Sequence, residues 1–117
     1  MSTRNEKAMF PIKIGPAVYS VKKVESLHTD GQAFGICSGL DKEISVRAGM
    51  QKEQELQTLL HEVLHGIINE YCIRAAAHME SDDEEVIVDL VAIGLTNALV
   101  TSPRFVKYIN EMVKQPK

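Results

Sequence analysis

Residues 61–65 read His61-Glu62-Val63-Leu64-His65. On a helix of 3.6 residues per turn, side chains four positions apart lie one above the other. Both imidazoles can then reach one tetrahedral zinc ion at about 2.0–2.1 Å. Glu62 is offset from that pair. It is badly placed to ligate the same ion and well placed to contact a water bound to it. The chemistry such a set supports is hydrolysis. Zinc lowers the pKa of its water towards about 7, and Glu62 takes the released proton. The hydroxide attacks a peptide carbonyl, and Glu62 returns the proton to the leaving amine.

Two histidines do not close a catalytic zinc site, which takes three protein ligands and a water. Glu85 and Asp89 stand at i and i+4 further along, with Ala92 next on the same face, among the apolar residues Val86, Val88, Leu90 and Val91. Carboxylates in so apolar a helix are costly unless paired or bound to metal. Glu85 is the expected third ligand, with Glu84 the alternative. Asp89, one turn deeper, can accept the free N–H of His61 and fix its tautomer. The rest of the acidic run Asp82–Glu85 reads as a solvated helix start that complements the helix dipole.

These groups need rigid elements beneath them. Leu56, Leu59, Leu60, Val63, Leu64, Ile67, Ile68 and Tyr71 recur at three- and four-residue steps, which predicts one helix over about 52–72. Thr58, His61, Glu62, His65 and Asn69 form a polar stripe on it. Gly66, which costs about 1 kcal/mol in mid-helix, implies a close packing contact. After a connector over 74–81, Ser81 with Glu84 forms a potential capping box for a second helix ending near Ser102. Pro103 suits the first turn of a third, which carries Phe105, Val106, Ile109, Met112 and Val113. Upstream, alternation predicts four short strands, at 10–14, 18–27, 32–37 and 43–47, separated by turn residues such as Gly15-Pro16 and His28-Thr29-Asp30-Gly31. Tyr19, Val21, Val24, Ile44 and Val46 are their expected inward members. Strands first and helices after argue for an α+β domain, a small antiparallel sheet packed on the motif helix, a glutamate-bearing second helix and a C-terminal helix.

The chain's 117 residues suit one domain, read as 10–117 behind a loose N-terminus over 1–9. A net charge of −3 with no basic run argues against nucleic acid as partner. No apolar stretch is long enough to span a membrane, and no secretory signal is evident. Two cysteines outside any CxxC pair, Cys37 and Cys72, read as buried reduced thiols in a cytoplasmic protein.

His-Glu-x-x-His followed by a helix with Glu85-x-x-x-Asp89 resembles the gluzincin metallopeptidases. The compact layout over roughly residues 30–100 is similar to minimal gluzincins and to the small zinc peptidase-like proteins of phages and prophages. The resemblance implies one zinc per chain held by His61, His65 and Glu85, with Glu62 as general base and Asp89 behind the ligands. It also implies a protein or peptide substrate cut by an endopeptidase in the cytoplasm of a bacterial or phage-infected host cell. In zincins a strand beside the cleft pairs with extended substrate, and residues 43–47 are the strand expected to do so. Tyr71, His78 and Tyr108 are the candidates for steadying the transition state, and His28 reads as a turn residue. The chain is far shorter than a full gluzincin and has no second lobe. Two further readings are a zinc-stabilised protein-binding or regulatory module of the same fold with little turnover, and a metal-free adaptor. Neither substrate identity nor oligomeric state follows from the sequence.

Overall fold

A computed structural model describes residues 7–25, 27 and 34–114. Four strands come first: β1 (Lys7–Ile14), β2 (Ala17–Val24), β3 (Gly35–Ser38) and β4 (Glu43–Arg47). Four helices follow: α1 (Lys52–Glu70), the single-turn α2 (Ile73–Ala76), α3 (Ser81–Thr101) and α4 (Pro103–Val113). The class is therefore α+β, as expected. The expected strand at 10–14 begins earlier, at Lys7, so Lys7–Met9 are ordered in β1 rather than loose. The expected turn at 28–31 and the start of the third strand lie outside the described residues.

The sheet is mixed rather than antiparallel. Its order is β1-β2-β4-β3, with β2 and β4 parallel and the other two pairs antiparallel. Burial explains the order. Ile44 and Val46 of β4 are completely buried, as are Tyr19 and Val21 of β2, so these two strands take the centre. β3 has no fully buried residue and takes the edge. Its link to β4 is a tight hairpin. Asp41 donates its backbone N–H to Ser38 Oγ (3.0 Å), and Lys42 adopts a left-handed conformation at φ 57°.

Helix α1 lies across this sheet. Leu59, Val63 and Ile67 pack against the buried cluster of Ile14, Tyr19, Val21 and Ile44. Gly66 marks the closest approach, because a Cβ there would stand 3.0 Å from Ile14 Cδ1. That is the packing role expected of a glycine within a helix. The end of α1 is pinned to the sheet by Glu70, which accepts bonds from Tyr19 Oη (2.7 Å) and Lys42 Nζ (2.6 Å). These two donors hold the Glu70 carboxyl below its usual pKa, the lysine contributing more. Tyr71 is the helix's last turn, and Cys72 at φ 53° reverses the chain into α2.

Helix α3 packs on α1, opposite the sheet. Its buried stripe is Glu84, Val88, Ala92 and Thr96, one residue per turn. The capping box at its start is Glu80 with Asp83, not Ser81 with Glu84; Glu80 donates its backbone N–H to Asp83 Oδ2 (3.1 Å). Glu84 is unavailable for that role because its side chain turns inward to α1 and α2. Among the described residues, no single helix is long and apolar enough to cross a membrane.

Candidate metal centre

The HExxH turn lies where α1 is covered on one side by β3 and on the other by α3. His61 and His65 stack edge to face with ring centroids 4.9 Å apart. Glu85 of α3 reaches between them, its two oxygens 3.6 Å from His61 Nε2 and 3.1 Å from His65 Nε2. Ligand atoms of all three residues lie within 4.8 Å of one another. A tetrahedral ion with ligands at about 2.0–2.1 Å spaces them by about 3.3–3.4 Å. The donor set, two imidazole nitrogens and one carboxylate, could hold a metal ion such as zinc, and the Glu85 spacings bracket the required separation.

Each imidazole has a carboxylate at its far nitrogen. His65 Nδ1 lies 2.7 Å from Glu84 Oε2, a full hydrogen bond. A ring that donates from Nδ1 keeps its lone pair on Nε2, the nitrogen facing Glu85 and the shared space. Glu84 is itself held by Arg74, whose Nε (3.0 Å) and Nη2 (2.5 Å) both donate to Oε1. Burial would raise the Glu84 pKa, but the bonds from His65 and Arg74 outweigh it and keep the carboxyl ionised below its usual range. His61 Nδ1 faces Asp89 Oδ1 at 3.8 Å, close enough for charge to act and too long for a hydrogen bond. Burial and then the neighbouring His65 lower the His61 pKa, against Glu85 and Asp89, which favours the neutral ring a metal needs.

The acidic run thus divides differently from expectation. Glu84, expected to be solvated, is the one buried member, and Glu85 is exposed along with Asp82 and Asp83. Arg74 lies outside the HExxH and Glu85-x-x-x-Asp89 motifs and was not among the expected site residues. The available signal was a lone arginine in the connector, able to reach back to a carboxylate at the start of the next helix.

Glu62 sits on the sheet side of the two histidines and is only 8% exposed. Burial, opposed by His65 and reinforced by Glu85, pushes its carboxyl up to about 7. The edge strand approaches it closely. A Cβ on Gly35 would stand 2.7 Å from Thr58 Cγ2 and 3.1 Å from Glu62 Oε2, so only glycine lets β3 lie this close to α1.

A cleft of about 870 Å³ opens over these groups, lined by Glu62, His61 and His65 together with Gly35 and Cys37 of β3. Ile68, Cys72, Ala75 and Met79 make its apolar end. Tyr71, His78 and Tyr108 are not among its lining residues. Tyr71 packs beside Gly15, and Tyr108 is exposed on α4. His28 lies outside the described residues. The strand 43–47 cannot receive a substrate strand either, because both of its edges are occupied by β2 and β3. Both cysteines line the cleft as free thiols. Cys72 is exposed rather than buried, and Cys37 is half-buried, its thiol pushed up to about 11 chiefly by burial. No protein-family model, curated protein or solved structure matches the chain.

Proposed function

We propose that the protein is a gluzincin-like zinc metallopeptidase that cleaves peptide bonds within protein substrates. The observation that carries this is the convergence of His61, His65 and Glu85 on one small volume, with a buried glutamate beside it. A zinc ion held by these three residues would act as a Lewis acid, activating a water and polarising the scissile carbonyl. Glu62 accepts the water's proton. Burial raises this carboxyl to about 7 in the metal-free protein, and a bound cation would draw it back towards the ionised form that accepts a proton and can return it to the leaving amine. Glu84 and Arg74 keep His65 in the ligating tautomer. Asp89 supports His61 electrostatically.

The substrate lies along β3. Among the described residues that strand pairs with β4 alone, so its outer edge is free to bond an extended peptide, and Gly35 and Cys37 line the cleft. Main-chain pairing of this kind gives affinity with little side-chain selectivity. The setting proposed is the cytoplasm, in keeping with two free cysteines.

One observation favours a second reading, a zinc-stabilised binding module with little turnover. Among the described residues lining the cleft, Arg74 is the one with a fixed positive charge, and it is committed to Glu84. The experiment is elemental analysis of protein purified without added metal, beside cleavage of an unfolded protein substrate. One zinc per chain, lost in His61→Ala and Glu85→Ala, supports the centre. Cleavage abolished in Glu62→Gln with zinc retained supports the peptidase. Zinc without cleavage in the wild type selects the binding module, and no zinc uptake at all rejects both.

A further inference from the structure

Strand β3 runs alongside α1 in the same direction. A Cβ on Gly35 would meet Thr58 and Glu62, one on Gly66 would meet Cys37, and one on Gly39 would meet Asn69. The pairing of β3 with β4 fixes which of its backbone groups face outward. Arg47 donates its N–H to the Phe34 carbonyl (2.8 Å), and the register sets Gly35 opposite Val46 and Ile36 opposite Ser45. Hydrogen-bonded and non-hydrogen-bonded pairs alternate in an antiparallel ladder. Phe34, Ile36 and Ser38 therefore bond β4, whereas Gly35 and Cys37 turn both N–H and C=O to the open edge. An extended peptide bonded to that edge follows the α1 axis, with its scissile bond beside Gly35 and Glu62.

Such a peptide leaves the centre in two directions that differ in chemistry. Towards the C-terminal end of α1 it meets the apolar end of the large cleft, with Ile68 and Met79. Towards the N-terminal end it meets a second cavity of about 360 Å³, which shares Gly35, His61 and Glu62 with the first. Gln54, Gln57, Thr58 and Asp89 supply the rest of its polar lining, and no described lysine or arginine lines it. Thr58 is committed to Met50 Sδ (3.8 Å). Among the described residues, the Gln54 and Gln57 amides and the Asp89 carboxylate have no hydrogen-bond partner, Asp89 lying 3.8 Å from His61 Nδ1. Across the two cavities, the ionised carboxylates of Glu62, Glu84, Glu85 and Asp89 stand against one described arginine, Arg74, so the centre stays net negative even with a divalent cation bound.

We propose that this second cavity is a specificity subsite for a basic side chain, lysine or arginine, of the bound peptide. The subsite rests on the reading of the cleft as a peptidase centre and names the peptides that centre prefers. At 1.5 Å per helical residue, Gln57 lies about 6 Å from His61 along α1, close to the span of two residues of extended chain. The side chain taken up is therefore the one about two residues from the scissile bond. The Gln54 and Gln57 carbonyl oxygens accept from its cationic head, and Asp89 supplies the opposite charge.

The test is fluorescence anisotropy with capped, fluorescein-labelled octapeptides of alanine and serine that carry one lysine, norleucine or glutamate at each position in turn. The protein is Glu62→Gln loaded with one equivalent of zinc. At one position lysine should bind roughly 3–10-fold more tightly than norleucine, and glutamate more weakly than either. Gln57→Lys and, at an exposed position, Gln54→Lys should each reverse that order between lysine and glutamate, with circular dichroism checking the fold. Wild-type cleavage of the same peptides separates the subsite from the peptidase reading. A lysine preference without cleavage supports the subsite and overturns the peptidase. Binding or cleavage without a lysine preference, or a preference that survives both glutamine variants, overturns the subsite and leaves the peptidase standing. No binding of any peptide overturns the subsite.

Discussion

Replacing Glu62 by glutamine should stabilise the metal-free protein at pH 8 and leave it nearly unchanged at pH 4.5 or below. The carboxyl is buried, and burial lifts its pKa from 4.5 to about 7 against the partial opposition of His65. A displacement of that size corresponds to about 3 kcal/mol between the protonated and ionised forms. The sign follows from linkage. The folded pKa is above the unfolded one, so the stability Glu62 contributes is fully present below 4.5 and is lost as pH rises through about 7. Glutamine has nearly the same shape and never ionises, so it escapes that loss. Urea unfolding of chelator-treated wild type and Glu62→Gln, compared at each pH, isolates this residue, because other titrations cancel in the difference. The variant's advantage should grow to about 3 kcal/mol at pH 8, on the order of 10–20 °C in melting midpoint. Zinc should shrink it, since a nearby cation favours the ionised carboxylate. An advantage that is equal at both pH values, or a variant less stable at pH 8, would refute the assignment of a strained, buried Glu62.

Glu84→Gln should weaken zinc binding about 10–100-fold, because it removes the charged acceptor at His65 Nδ1; titration against a competing chelator measures this. Asp89→Asn should weaken binding less than Glu84→Gln in the same titration, its contact with His61 being 3.8 Å against 2.7 Å. Gly35→Ala should cost about 1–3 kcal/mol in urea unfolding, since the new methyl meets Thr58 Cγ2 at 2.7 Å and must push β3 from α1. Tyr19→Phe should cost about 1–2 kcal/mol by the same assay, removing a bond to Glu70 while Lys42 keeps that carboxylate paired.

The parts of the fold legible in the sequence were those governed by local periodicity. The apolar steps along 56–71 define α1, and the alternation of Tyr19 with Val21 and of Ile44 with Val46 defines the two central strands, because burial of one face imposes a period that the chain itself displays. Strand order was not legible. β4 inserts between β2 and β3, and nothing local in any of these strands states which neighbour it will take. Strand 43–47, expected to pair with substrate, therefore has both edges occupied, and the edge strands among the described residues are β1 and β3. The glycine at 35 was the clue. In a strand flanked by larger residues it signals another element pressing close, and that element is the helix turn bearing Glu62.

The division of labour between Glu84 and Glu85 shows why adjacent carboxylates cannot be told apart by spacing alone. Successive helical residues point about 100° apart. One of the two must therefore face α1 while the other faces the open cleft, and a small rotation of α3 would exchange them. The rotation is fixed by the buried stripe of Val88, Ala92 and Thr96 and by Arg74, both outside the motif. With the stripe set, Glu84 falls on the far nitrogen of His65 and Glu85 on the near ones. Exposure then suits each role. Glu84, which orients a ring, is sealed with an arginine, whereas Glu85, the third ligand of the proposed centre, stays exposed at the cleft. The same seating of α3 turns Val86, Leu90 and Ile93 outward.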